Sequence, residues 1–131
     1  ASGGNIALKS SPRNAQYLAS AGFPTSQGNP YGSVLINNWY MDRNGWDGGT
    51  LVSVLAHEFG HCIGFRHTDY MDRSYSCGGG TANEGASTVG AIHIPGTPTT
   101  ADPNSWMLAC IGNGVDRPFN ANDRTALSYL Y

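Results

Sequence analysis

The sequence predicts a small, loop-rich α+β domain, and three observations carry that prediction. The chain has 131 residues, which fit one domain of ordinary size and are too few for two. It contains 18 Gly and 7 Pro but only 12% charged residues, a composition with many turns and few solvated helices. The hydrophobic pattern is strand-like shortly before residue 50 and helical after it.

Charge and hydropathy argue against several kinds of partner. Seven Lys and Arg residues against nine Asp and Glu residues give a formal net charge of −2. The sequence therefore has no basic stripe, and we expect neither nucleic acid nor a membrane as a partner. No apolar run approaches the roughly 18 to 20 residues that cross a bilayer. Low charge with abundant Gly, Ser and Asn is typical of extracellular proteins, so we expect a secreted protein. We also expect a monomer.

Three short elements are predicted in the first part of the chain. Residues 5–9 favour a short strand, and residues 15–22 are compatible with a helix. Residues 33–41, SVLINNWYM, are rich in β-branched and aromatic residues and lie between two turn sequences. This last segment is the best strand that the sequence predicts.

A helix is clearly indicated in the middle of the chain. Thr50 is a favourable N-cap residue, and the apolar residues after it recur at steps of four and three. We predict a helix over about 50–63 that ends at Gly64, because glycine readily takes the left-handed conformation that ends helices.

The rest of the chain is predicted to be mostly irregular. Residues 72–105 contain GGG and PGTP and show no sustained period. Asn120 followed by Asp123 resembles a capping box, and apolar residues follow at helical spacing. We therefore expect the chain to end in a short helix.

The chemistry is expected in the segment HEFGHCIGFRH, which contains three histidines. His57 and His61 are four residues apart on the predicted helix, so both rings can reach one metal ion. Two histidines on a polar helix face are commonly only a solvated surface. Gly64 can reverse the backbone, however, and would let His67 return as a third nitrogen ligand. Together these residues predict a metal centre.

Three protein ligands would leave the fourth tetrahedral position of zinc open to water, which is typical of a catalytic site. We predict one catalytic zinc ion, although cobalt, nickel or copper could bind the same nitrogens. Glu58 directly follows the first ligand and can lie beside the ion without binding it. We predict that Glu58 is the general base that takes a proton from the activated water and passes it to a leaving amine.

Acidic residues outside this segment have mainly structural interpretations. Asp42, Asn44 and Asp47 could favour calcium, but their spacing does not match an EF-hand, so calcium is unsupported and a turn is expected. Asp69 or Asp72 could hydrogen-bond a ligand histidine, although capping of a turn is the commoner role for such residues.

The histidine motif has a known counterpart. The pattern H-E-x-x-H-x-x-G-x-x-H resembles the zinc signature of the metzincin metallopeptidases, with Met107 in NSWMLAC where their Met-turn is expected. The wider sequence HEFGHCIGFRHTDY, together with GAIHIPGTP and FNANDRTALSYLY, is similar to the bacterial dual-action metallopeptidases. Astacins and serralysins have a metal-reaching Tyr two residues after this Met; Ala109 stands here, so no tyrosine ligand is implied.

This resemblance implies a zinc-dependent endopeptidase that acts on proteins or peptides and is secreted by a bacterium. It implies one catalytic domain over residues 1–131, in which an upper part, 1–63, has a twisted sheet and the zinc helix. The lower part, 64–131, would be irregular, with the Met-turn and the C-terminal helix. Metzincins usually have a larger sheet and a long helix before the zinc helix, so we expect an N-terminal part to be abridged or missing.

The resemblance also suggests where a substrate binds. The strand over residues 33–41 would border the cleft, and Val34, Leu35 and Ile36 would pair with an extended peptide. A simple core strand is the alternative. His93 and Ala109 would contribute to substrate pockets, and His93 could otherwise be an ordinary loop residue.

Three cysteines allow one disulfide bond, which permits secretion without proving it. We predict the pair Cys77–Cys110, because it would attach the long loop to the segment after Met107, while Cys62 lies on the apolar face of the helix. A Cys62–Cys110 pair is the alternative.

Two other functions compete with proteolysis. One is a non-catalytic binding module in which zinc only stabilises the fold, and Glu58 argues against it because a structural site does not need a base. The other is hydrolysis of a different amide, such as a cell-wall cross-link, which a panel of substrates would distinguish.

Overall fold

The computed structural model describes residues 4–85 and 90–131. In this part of the chain, three strands and four helices confirm the α+β class. The strands are β1 (Ala7–Ser10), β2 (Ala19–Ala21) and β3 (Ser33–Ile36), and the helices are α1 (Asn38–Arg43), α2 (Gly48–Cys62), α3 (Ser74–Cys77) and α4 (Ala121–Leu130). The chain divides into an N-terminal unit that ends at Phe65 and a C-terminal unit that starts at Arg66. None of the described helices has the length and apolar character needed to cross a bilayer.

The sheet of the N-terminal unit has the order β1-β3-β2. β3 pairs in parallel with β1, where Leu8 faces Val34, and antiparallel with β2, where Ser20 faces Leu35. Side chains of β3 alternate, since Val34 is fully buried and Ile36 is 7% exposed while Ser33 and Leu35 are partly exposed. The sheet therefore buries one face of its central strand.

The position of β3 corrects one prediction about substrate binding. Because β1 and β2 already pair with its two edges, the backbone of Val34, Leu35 and Ile36 has no free edge to offer an extended peptide. The alternative interpretation, a core strand, agrees with the burial of this segment.

The predicted strand over residues 33–41 is also too long. It ends at Ile36, because Asn37 is buried and caps α1 by accepting a hydrogen bond from the Tyr40 N–H at 3.1 Å. The Asn37 side chain also donates to the backbone oxygens of Ala15 and Tyr17, at 3.2 and 3.0 Å. The longer strand was predicted from a composition rich in aromatic and β-branched residues. Composition does not show that one asparagine within the segment makes all these hydrogen bonds.

Residues 15–22 do not form the helix that their composition allows. Ala19–Ala21 is instead strand β2, because β3 provides hydrogen-bonding partners along it. Helix propensity is a weak preference that pairing with a distant strand readily overrides.

The predicted helix after residue 50 is present as α2 and starts slightly earlier. Its N-cap is Asp47 and not Thr50: Asp47 Oδ2 accepts hydrogen bonds from the N–H groups of Gly49 and Thr50 at 2.9 and 3.3 Å. This contact gives Asp47 a structural role, in agreement with the interpretation of its segment as a turn.

α2 ends where the sequence predicts. Gly64 has a φ of +113°, in the left-handed region that glycine adopts without steric cost. The Phe65 N–H then donates to the carbonyl of Gly60 at 2.9 Å, which closes the helix end. The backbone therefore reverses immediately after the second histidine of the motif.

The C-terminal unit is mostly irregular and is held by buried carboxylates. The predicted capping box of Asn120 and Asp123 is present at the start of α4. Asp123, only 3% exposed, also accepts hydrogen bonds from Ser105 Oγ at 2.8 Å and the Trp106 N–H at 3.1 Å. The helix cap thus fixes the segment that leads into Met107.

A second buried carboxylate holds the segment after Met107. Asp69 is fully buried and accepts hydrogen bonds from the Ala109 N–H at 2.9 Å and from Ser76 Oγ at 2.6 Å. The same region contains the Cys77–Cys110 disulfide that the sequence predicted, while Cys62 is a buried free thiol. Both features constrain the loop that follows the third histidine.

Candidate metal centre

α2 carries the first two histidines of the motif on one helical face. His57 and His61 are four residues apart, so about one turn of helix separates them. Their ring centroids lie 4.7 Å apart and the ring planes are perpendicular, at 90°. Both rings can therefore direct a nitrogen to one point without stacking on each other.

The backbone reversal at Gly64 brings the third histidine to the other two. The candidate ligand nitrogens of His57, His61 and His67 all lie within 4.8 Å of one another. In a tetrahedral zinc site with bonds of about 2.1 Å, ligand nitrogens are roughly 3.4 Å apart. Small side-chain rotations would therefore let one ion bind all three rings.

The orientation of His61 is fixed by its own chain. Its Nδ1 lies 2.8 Å from the carbonyl oxygen of Phe65, which can only accept, so Nδ1 carries the proton. In this tautomer Nε2 is the nitrogen with a lone pair that could bind a metal. The Phe23 ring and the imidazole pack in a T-shaped arrangement, with the centroids 5.3 Å apart, which further restricts the imidazole.

His67 has a carboxylate as its hydrogen-bonding partner. His67 Nδ1 lies 2.9 and 3.0 Å from the two carboxylate oxygens of Glu84. Arg73 Nε lies 3.0 Å from one of the same oxygens and completes a chain of three charged or polar groups. Sequence reasoning missed Glu84, since it is 17 residues from His67 in an irregular segment without a motif.

The structure gives other roles to the two aspartates that the sequence offered as partners of a ligand histidine. Asp69 binds the Ala109 N–H and Ser76, as described above, and Asp72 Oδ1 accepts from the N–H groups of Ser74 and Ala82 at 3.0 and 3.1 Å. Asp72 therefore caps a turn, which the sequence analysis gave as the commoner role for such residues.

Glu58 follows the first ligand and is 8% exposed. Burial raises the pKa of its carboxyl group to about 7, because a low-dielectric environment disfavours the ionised form. In the metal-free protein this carboxyl group is therefore easily protonated at neutral pH.

This pKa predicts how replacing Glu58 with glutamine changes stability in the metal-free protein. The folded state binds the proton more tightly than the unfolded state, so the Glu58 carboxyl lowers stability as pH rises from 4.5 to about 7. Glu58→Gln should therefore raise the free energy of unfolding at pH 8, by at most about 3 kcal/mol, and change it little at pH 4. Denaturant unfolding in the presence of a chelator measures the free energy of unfolding of both proteins at each pH. Equal stabilities of the variant and the original protein at pH 8 would contradict the prediction.

Met107 is hydrogen-bonded through its backbone to the residue that follows the third histidine. It is 1% exposed, and its carbonyl oxygen accepts a hydrogen bond from the Thr68 N–H at 3.0 Å. The residue after His67 is thus bonded to the backbone of the predicted Met-turn. The role of Met107 as an apolar floor of the site stays a prediction.

The two residues predicted to line substrate pockets are both in the C-terminal unit. His93 is exposed, and its Nε2 lies 3.0 Å from the carbonyl oxygen of Thr97 in the same loop. Ala109 is half-buried and its N–H donates to Asp69. A contribution of either residue to substrate binding stays a prediction.

Comparison with known proteins identifies the family. Residues 5–131 match the family described as dual-action HEIGH metallo-peptidase. Searches of curated proteins and of solved structures gave no match. The letters in the family description correspond to residues 57–61, where this chain has phenylalanine at the third position. With the match covering nearly all of its length, this chain belongs to the dual-action HEIGH metallo-peptidase family, and its histidine triad could bind a metal ion.

Proposed function

We propose that this protein is a zinc-dependent endopeptidase of metzincin type, in which His57, His61 and His67 hold one catalytic ion and Glu58 is the general base. The observation that carries the proposal is that ligand nitrogens of the three imidazoles lie within 4.8 Å of one another, while the buried Glu58 follows His57 in the same helix.

The donor set fits zinc. Three neutral imidazoles are the ligand set of a catalytic zinc site with one open position. The partners of Nδ1 in His61 and His67 leave Nε2 as the ligand atom in both rings. When bound, zinc would supply Lewis acidity, which acidifies water and polarises a peptide carbonyl group.

Glu58 would move the proton. Its carboxylate takes a proton from the attacking water as the oxygen of that water bonds to the carbonyl carbon. It then transfers this proton to the amide nitrogen as the carbon–nitrogen bond breaks. The nearby cation would favour the ionised carboxylate and so lower the pKa that burial raises. No acyl-enzyme intermediate is needed, because water attacks directly.

The enzyme of this proposal would be secreted. The Cys77–Cys110 disulfide favours an oxidising compartment. Together with the low charge of the sequence, this supports a secreted enzyme. Membership of a peptidase family supports proteins or peptides as its substrates, and we further propose that it comes from a bacterium and acts as a monomer.

Cleavage of unfolded casein tests the proposal. The zinc-loaded protein should cleave it, lose activity when a chelator removes the ion, and regain activity with one equivalent of zinc. Products are measured by mass spectrometry, with zinc content determined in parallel. Tight zinc binding without cleavage of casein or a mixed peptide library would contradict the proposal and favour a binding module. Cleavage restricted to cell-wall peptides would favour the other amide substrate.

A further inference from the structure

The side chain of Glu84 contacts a candidate metal ligand and a cation at the same time. Both of its carboxylate oxygens lie within 3.0 Å of His67 Nδ1, and one lies 3.0 Å from Arg73 Nε. The His67 and Glu84 side chains are 19% and 27% exposed, so this contact is only partly shielded from water.

Hydrogen bonds that do not involve the Glu84 side chain hold Glu84 in this position. The Glu84 N–H donates to the carbonyl of Tyr70 at 2.8 Å, and the Arg73 N–H donates to the carbonyl of Ala82 at 2.8 Å. Asp72 Oδ1 also accepts from the Ala82 N–H at 3.1 Å. Because none of these bonds uses the Glu84 side chain, a change of that side chain should leave the loop in place.

His67 depends on a hydrogen-bonding partner for its orientation more than His61 does. His61 is on a regular helix, and a backbone carbonyl, which substitution cannot remove, orients its ring. His67 lies after the helix in an irregular segment, and a side chain supplies the acceptor for its Nδ1. That acceptor fixes the proton on Nδ1, directs Nε2 away from it, and makes the ring a better donor.

We propose that Glu84 is a positioning residue that orients His67 for metal binding, with Arg73 holding the Glu84 carboxylate in place. This inference rests on the proposed function, because it assumes that the triad binds zinc. It adds a determinant of metal affinity that lies outside the histidine motif.

Metal affinity of the purified chain tests the inference. Zinc binding is measured by competition with a chromophoric chelator, and the cobalt(II) form is measured by visible absorption. Glu84→Ala should weaken binding about 10- to 100-fold and shift the cobalt bands. Glu84→Gln keeps an oxygen acceptor without the charge and should weaken binding less. The control Asp42→Asn removes one exposed carboxylate from α1 and should stay within twofold of the original protein.

Thermal unfolding of the metal-free variants separates positioning from folding. A partly exposed ion pair contributes little to stability, so the Glu84 variants should unfold within a few degrees of the original protein. Unchanged zinc affinity and an unchanged cobalt spectrum in Glu84→Ala would overturn the inference while leaving the proposed function intact. If the original protein does not bind zinc, or His67→Ala binds it equally well, the proposed function fails and this inference fails with it.

Discussion

Replacing Glu58 with glutamine is expected to lower kcat/KM for peptide hydrolysis by about 10²- to 10⁴-fold while zinc stays bound. Glutamine has nearly the same shape, so packing around this buried position should be retained. It cannot accept a proton from water, however, so the transfer to the leaving amine is lost. The residual rate would come from substrate positioning and from the ion.

Steady-state cleavage of one defined peptide and zinc analysis of the same samples measure this effect. Asp42→Asn is the matched control, since it also removes one carboxylate charge but lies exposed on α1. If Glu58→Gln retained more than about a tenth of the original activity, Glu58 would not be the general base. A loss of zinc together with activity would instead assign Glu58 a role in binding the ion.

Removing the carboxylate of Asp123 is expected to cause a large loss of stability, about 2 to 4 kcal/mol for Asp123→Ala. Asp123 accepts hydrogen bonds from Ser105 Oγ and from the N–H groups of Trp106 and Asn120, at 2.8, 3.1 and 3.0 Å. Burial raises the pKa of this carboxyl group, although these three donors favour its ionised form. Alanine would leave these donors without their acceptor, so the half of the capping box that Asp123 supplies to the Asn120 N–H would be lost.

Denaturant unfolding at neutral pH measures this loss, and Ser128→Ala serves as control at an exposed position of the same helix. The control should change stability by no more than about 0.5 kcal/mol. A loss below 1 kcal/mol for Asp123→Ala would mean that Asp123 does not anchor the segment before Met107.

The parts of the structure that depend on neighbours in sequence could be predicted. α2, its end at Gly64 and the meeting of His57 with His61 follow from helical periodicity and from the conformational freedom of glycine. The capping box at Asn120 is likewise defined by residues three positions apart. Such interactions are encoded within one or two turns of chain, so a single sequence reveals them.

Several features that depend on distant contacts were missed. Asn37 ends β3 because its buried amide donates to residues about 20 positions earlier, and no local pattern indicates those partners. β2 is a strand because β3 lies beside it, although its residues are compatible with a helix. Glu84 reaches His67 through a loop whose path is set by backbone hydrogen bonds. For the same reason, the sequence left open whether β3 borders a cleft, as the family resemblance implied, or is a core strand, and the structure places it at the centre of the sheet.

The coordination of the ion is the central claim, and X-ray absorption at the zinc edge tests it most directly. The zinc-loaded protein should contain one ion per chain, with three imidazole nitrogens and one further light donor from solvent at about 2.0 to 2.1 Å. His67→Ala should lose one imidazole from this set. A spectrum with sulfur ligands, or with fewer than three imidazoles in the original protein, would contradict the account.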